Sequence, residues 1–387
     1  MTHDVAIVGA GPVGATLALG LRDADLDVVV VDGRRPDAPG RADRSLALSH
    51  GARLILERLG VWTTLAAVPD AVTPIFAIDI SQARGFGAVR LEAAEQGVPA
   101  LGYVVSYRAL QKALDDAMAH AGMHVRFGAP ASAVDGTSEA ATIEIAGQSD
   151  APLRARLAIV ADGAASSVRG VERKRHDYGQ VAVVAHVGLD HPHRGVAFER
   201  FTRNGPIALL PEGERYGLVW TQTPEAAQRT LALGDAEFVH ELAQHFGNRV
   251  RGFVRVGARR SFPLALEVAR NTTADRVAVI GNAAQALHPI AGQGFNLGLR
   301  DAFELASIIV DTPRADIGSP RMLARYRAGR AGDRRAGIAF THGLVHLFGN
   351  DRPWLSVPRG VGMMLLDTVP IAKRAFGRAM LFGLRQL

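Results

Sequence analysis

The chain opens on an apolar, β-branched run, Asp4–Gly9 (DVAIVG), which predicts a buried parallel strand. A glycine turn follows, then an apolar helical stretch to about Asp23. Val28–Val31 makes a second buried strand that ends at Asp32. Residues 45–68 read as helix, with Leu46, Leu48, Leu54, Ile55, Leu59 and Val61 as apolar positions. Residues 107–121 form a clearer amphipathic helix, and residues 140–146 and 153–161 pattern as strands. From 181 to 220 the chain is rich in Val, Phe and Gly, with turn signals at Asn204-Gly205 and Glu212-Gly213, as in a mostly antiparallel sheet. Residues 277–281 (VAVIG) predict another buried strand. From about 294 the pattern is helical, broken by Pro313, Pro320, Pro353, Pro358 and Pro370. The order describes an α/β unit interrupted by β-rich insertions and followed by a helical tail.

Composition narrows the chemistry. Zero cysteine in 387 residues excludes a disulfide framework, a thiolate nucleophile and an iron–sulfur cluster. Any redox work needs a cofactor that is not a thiol. The net charge of +6 is uneven: residues 321–387 hold 12 basic and three acidic residues, a net +9. A basic tail invites a nucleic-acid or membrane-surface reading, against a plain solvated helical face. Neither a signal peptide nor a run of 18 apolar residues is visible, so a cytoplasmic protein, soluble or peripheral, is expected.

Three motifs carry candidate chemistry. Gly9-Ala10-Gly11-Pro12-Val13-Gly14 joins the first strand to the first helix, and Asp32 lies 23 residues after Gly9. Such glycines permit a tight turn and close approach of backbone to a pyrophosphate, and the carboxylate can hold ribose hydroxyls. Asp162-Gly163 follows the strand Leu157–Ala161. The third motif runs Gly281-Asn282-Ala283-Ala284-Gln285 through His288-Pro289 and Gly292-Gln293-Gly294-Phe295-Asn296 into a helix, whose N-terminal N–H groups favour negative charge.

Together the motifs resemble the FAD-dependent aromatic hydroxylases of the para-hydroxybenzoate hydroxylase type, over essentially the whole chain. The GNAAQ-x-LHPIAGQGFNLG version, with residues 197–211 (AFERFTRNGPIALLP) and 261–266 (SFPLAL), is similar to the ubiquinone-biosynthesis branch. The resemblance implies a Rossmann-like FAD-binding domain (residues 1–75, 100–178 and 268–330). It also implies an inserted β-sheet substrate domain (76–99 and 179–267) and a C-terminal helical segment (331–387). It implies FAD held by Gly9, Gly11, Pro12, Val13, Gly14, Asp32, Arg44, Arg108, Asp162, Gly163, Gly281, Asn282, Pro289, Gly292, Gly294, Phe295 and Asn296. NAD(P)H would reduce the flavin and O2 would add to it as a C4a-hydroperoxide, which hydroxylates 2-polyprenyl-6-methoxyphenol to the 1,4-benzoquinol. Three positions depart from the family pattern: Asn282 and Gln285 stand where Asp and His are general, and Asp32 stands where Glu is usual.

His288, with Pro289, is the candidate beside the reacting ring, weighed against a structural loop histidine. Tyr216 and His186 read as half-buried sheet residues. His191-Pro192-His193 lacks further ligands at metal spacing, so no metal site is expected. Met363-Met364-Leu365-Leu366 reads as helix core rather than substrate channel. Residues 360–387 interleave Val361, Met364, Leu365, Phe376, Leu381 and Leu384 with Lys373, Arg374, Arg378 and Arg385. That surface suits an anionic membrane or a subunit of a biosynthetic complex, and equally a helical pair packed on its own domain; nucleic acid is not expected. Rival readings are a monooxygenase of a small soluble aromatic acid and a flavin-binding subunit without turnover.

Overall fold

The computed structural model describes residues 2–35, 44–83, 85–147, 151–349 and 353–383. Leu384 and Arg385 lie outside them. The N-terminal run forms β1 (Thr2–Val8), α1 (Pro12–Gly20) and β2 (Val28–Asp32), and β1 and β2 are parallel. Next come β3 (Ser45–Ser49), α2 (His50–Arg58), β4 (Ala77–Gln82), β5 (Ala88–Glu92), α3 (Tyr107–His120) and β6 (Leu153–Val160). The middle supplies β7 (Arg173–Leu189), β8 (Val196–Thr202), β9 (Gly205–Glu212), β10 (Arg215–Gln222) and β11 (Arg260–Ala269). Last are β12 (Val277–Val279), α4 (Gln293–Val310), α5 (Pro320–Phe348), α6 (Pro353–Thr368) and α7 (Pro370–Phe382).

One sheet is built on β1, which pairs in parallel with both β2 and β6, while β12 pairs in parallel with the far edge of β6. Its strands are continuous apolar runs because both faces are covered. Val5, Ile7, Val30, Leu157 and Ile159 face α1, α3 and α4; Ala6, Val8, Val29, Val31 and Val160 form a second core on the other face. Each fully buried Ile, Leu or Val contributes about 1.5–3 kcal/mol. A second sheet has the order β11-β7-β10-β9-β8-β4-β5, antiparallel except for the β8–β4 pair.

Three readings of the sequence need correction. Residues 45–49 are a strand, not the start of a helix: β3 pairs with Gly102–Ser106, and the Ser49 hydroxyl then caps α2 by accepting from Ala52 N at 3.2 Å. Pro320, Pro353 and Pro370 open helices rather than break them, as their fixed φ allows in a first turn, and Pro358 sits inside α6. Residue 331 falls inside the continuous 29-residue α5.

Candidate active site

The three motifs converge. Gly9 has φ +100°, and a methyl group there would meet the backbone of Ala161 and Asp162 at 2.8 Å, so the first and second motifs touch across β1 and β6. A methyl group on Gly14 would lie 1.9 Å from the Gly9 carbonyl oxygen, which fixes glycine where α1 leaves the sheet. One on Gly281 would sit 3.1 Å from a Val13 methyl, so the third motif touches the first. At Gly11 the same methyl would meet nothing within 4 Å. The backbone there is open to an approaching group, just ahead of Pro12 at the first turn of α1. A pyrophosphate fits that cradle: bare backbone with a helix N-terminus behind it.

Asp32 ends β2 beside this turn. Its carboxylate accepts from Ala10 N at 2.5 Å, Arg34 N at 2.6 Å and Arg34 Nε at 3.2 Å. Arg34 also reaches Asp115 on α3. Asp162 turns inward: its oxygens accept from Ala164 N, Ala165 N and Ser166 N at 2.7–3.2 Å. That carboxylate organises its own loop, while Gly163 (φ +73°) faces open space. Arg44 lies over the Tyr107 ring at 4.5 Å, and Arg108 is exposed on the first turn of α3. Asn282 is exposed on the short turn after β12, where its amide can meet a polyol. Gln285 is fully buried, donates to Asp301 at 2.7 Å and accepts from Arg334 at 2.9 Å. The glutamine thus answers to the α4–α5 joint.

Beyond the turn, Pro289, Gly292, Gln293 and Asn296 border a cavity of about 490 Å³. Asn296 holds this loop to β3, accepting from Ser49 N at 2.8 Å and donating to Ala47 O at 3.0 Å. Gly294 sits over Leu287, and Phe295 packs on the main core. The N-terminus of α4, at Gly292–Gln293, meets the cavity with its positive dipole end. The opposite wall is the face of the second sheet that includes Ile78, Ile80, Leu91 and Leu210, and α5, α6 and α7 close it with apolar side chains. Met363 and Leu366 line this cavity and pack in an apolar cluster with Val89, Leu91 and Phe348, whereas Met364 and Leu365 are exposed; the run is half core and cavity wall, half surface. Cavity-facing and core-facing residues share one helical period, so the sequence does not separate them.

His288 is buried but is not among the cavity-lining residues. Its Nδ1 accepts from Ile290 N at 3.3 Å, its ring meets Tyr178 edge-on, and burial pushes its pKa down to about 4. It remains neutral near pH 7 and its geometry is that of a loop histidine. Tyr216 is buried rather than half-buried, donating to Val196 O at 2.9 Å. His186 bonds Glu212 at 3.1 Å. His193 is spent on Gly213 O and Gly195 N. A different group, His176 with His342 and His346, brings ring nitrogens within 4.8 Å of one another and has the geometry to hold a metal ion. Its sequence signal is the i, i+4 pair on α5, which carries no third ligand until β7 is folded against it.

A phosphate cradle at a βα turn, joined by a second glycine loop to an apolar cavity, is the site of a dinucleotide-binding oxidoreductase. Residues 2–338 match the FAD binding domain family, and the chain belongs to it. It is an FAD-dependent monooxygenase. It is 36% identical to ubiquinone hydroxylase UbiL of Rhodospirillum rubrum, over 97% of this chain and 88% of that protein. It is 31% identical to the 3-demethoxyubiquinol 3-hydroxylase of Escherichia coli, over 96% of each. The fold is similar to that of p-nitrophenol 4-monooxygenase from Pseudomonas putida, with a TM-score of 0.77 at 19% identity over 99% of both chains.

Proposed function

We propose that the protein hydroxylates 2-polyprenyl-6-methoxyphenol to the 1,4-benzoquinol in ubiquinone biosynthesis, with FAD, NAD(P)H and O2. The observation that carries this reading is the apolar cavity that the loop before α4 shares with the second sheet and three C-terminal helices. Bound FAD supplies the oxygen chemistry. The chain supplies the rest. The proposed FAD contacts are Gly9, Gly11, Pro12, Val13, Gly14 and Asp32 at one end, with Asp162 and Gly163 organising the neighbouring loop. Gly281, Asn282, Pro289, Gly292, Gly294, Phe295 and Asn296 line the rest of the way, with Arg44 and Arg108 at the rim. The positive end of α4 favours negative charge on the reduced ring. The apolar wall excludes water and seats the prenyl chain.

The sheets support a division into an FAD-binding domain and an inserted substrate domain, since β4, β5 and most of β7 through β11 belong to the second sheet. A small aromatic acid would need a cationic anchor, and Arg359 is the one basic residue on the described cavity wall. Docking of the tail on an anionic membrane is supported by the outer stripe of α6, Val357, Val361, Met364 and Leu365, with Ile371 81% exposed on α7 beside exposed Arg374 and Arg378. No helix among the described residues is long and apolar enough to cross a membrane. We place the protein on the cytoplasmic face, where complex subunits could also meet this stripe. Quinone profiling of a deletion strain tests the reading: accumulation of 2-polyprenyl-6-methoxyphenol is expected, and normal ubiquinone overturns it.

A further inference from the structure

Glu199 stands in the middle of β8, opposite Ala208 of β9 and Ile80 of β4. Along β8 the faces alternate. Arg200 turns away from the cavity and donates to His245 O at 2.6 Å, while Ala197, Glu199 and Phe201 line it, with Phe198 also at its border. Ile78, Ile80, Val89, Leu91, Ala208 and Val219 surround them on this sheet face, so its one ionisable side chain is Glu199. No hydrogen bond or ion pair engages the carboxyl among the described residues, which leaves it directed at the void. Glu199 is half-buried; setting a carboxyl in an apolar wall without a partner is costly, and a fold keeps such a group only where something else meets it. The loop residues Pro289 and Gly292 border the same void, so a ring lying between them and the sheet has Glu199 beside it.

We propose that Glu199 is a catalytic residue: its carboxylate accepts the hydrogen bond of the substrate's phenol hydroxyl and takes its proton as the ring is attacked. This assignment rests on the reading of the cavity as a prenylated-phenol site. The phenol O–H bond breaks and a carboxyl O–H bond forms, with no change in total charge. The oxygen atom and the electrons come from O2 and NAD(P)H through FAD. Glu199 returns its proton to the phenol oxygen as the hydroxylated ring carbon loses its own, and that second proton leaves in water. A phenolate ring is the better nucleophile, so the step aids attack.

Burial pushes the Glu199 pKa up to about 7. That narrows the gap to a phenol near 10 and makes the carboxylate a better acceptor than an ordinary glutamate. The charged form is the working form, so kcat/KM rises with pH through this value. Arg359 of α6 is the other ionisable residue on the cavity wall; the sheet's cavity face adds none besides Glu199, and α5 and α7 add none among the described residues.

The test uses full-length enzyme reconstituted with FAD, and 2-geranyl-6-methoxyphenol as substrate. Glu199→Gln should keep its FAD and lose roughly 10²–10⁴-fold in kcat/KM. The wild-type rise of kcat/KM near pH 7 should vanish. A variant within threefold of wild type, with the pH profile unchanged, overturns the assignment. Should the variant lose FAD, the wild-type pH profile decides: kcat/KM that rises through about pH 7 supports Glu199, and kcat/KM that does not change between pH 6 and pH 8 overturns it. A wild-type enzyme that holds FAD and leaves the prenylated phenol unoxidised overturns the substrate reading itself.

Discussion

Two buried regions of this protein treat charge in opposite ways. At the joint of α4 and α5, Arg330 is 4% exposed, bonds Asp301 at 2.7 Å and Asp333 at 3.0 Å, and lies 3.3 Å from Glu304. Arg300 reaches Asp333 at 2.9 Å, and Gln285 ties the cluster to the turn after β12. Burial favours the neutral form of Arg330, but the Asp301 and Asp333 carboxylates outweigh it and raise its pKa. In the cavity, the half-buried Glu199 stands on an apolar sheet face without a hydrogen bond or ion pair among the described residues, and desolvation moves its pKa toward neutrality. A paired charge of this kind holds two helices and a flavin loop in register; an unpaired one facing a void is available to a ligand.

The largest effect should come from breaking the paired region. Arg330→Met leaves Asp301 and Asp333 buried without their shared cation, and should cost about 3–5 kcal/mol. Denaturant unfolding would measure that loss, and FAD should dissociate more readily because Gln285 and the Gly281 turn lean on Asp301. A loss under 1 kcal/mol would mean that the cluster is ornamental.

Glu199→Gln should act with the opposite sign. A carboxyl raised from 4.5 to about 7 in the fold is held protonated by the native state, so wild-type stability falls as pH rises between those values. The amide escapes that loss. Above pH 7 the variant should therefore be more stable than wild type by up to about 3 kcal/mol, and equal to it near pH 4. Thermal melts at the two pH values check the sign, and a variant less stable than wild type at pH 8 would show that the carboxylate has a partner in the fold.

Much of the paired region's setting was legible in the sequence. DVAIVG, the glycine turn and Asp32 specify a βαβ unit by local chemistry alone, and β1, α1 and β2 form there. The strand β3 was not, because SLALS lies next to a helical run and its partner strand begins 53 residues later, at Gly102. The +9 tail read as surface charge, yet Arg330 and Arg334 are internal: Arg330 in the ion cluster, and Arg334 bonded to Gln285 and the Ala269 carbonyl. Pairing with Asp301 across 29 residues has no local signature. The cavity was less legible still. Its wall runs from Ala47 to Leu381, and nothing in the order Ala197-Phe198-Glu199-Arg200-Phe201 tells which face of β8 meets a void.

The smallest effect on stability is expected where α6 turns outward, and it sharpens the contrast between wall and surface. Met363 is 7% exposed and faces the cavity, while Met364 is 46% and Leu365 52% exposed on the other side. Met364→Ser with Leu365→Ser removes no buried contact, so unfolding free energy should move by no more than about 0.5 kcal/mol per site. If the stripe docks on lipid, each lost side chain removes about 1.5–3 kcal/mol of potential burial. Binding to vesicles containing phosphatidylglycerol should then fall at least about tenfold. Turnover of a short-chain phenol in detergent should hold, since the cavity wall is intact. Co-sedimentation at low ionic strength measures the first quantity. Undiminished vesicle binding would move the docking surface elsewhere on the molecule and leave the outer stripe of α6 as ordinary exposed helix.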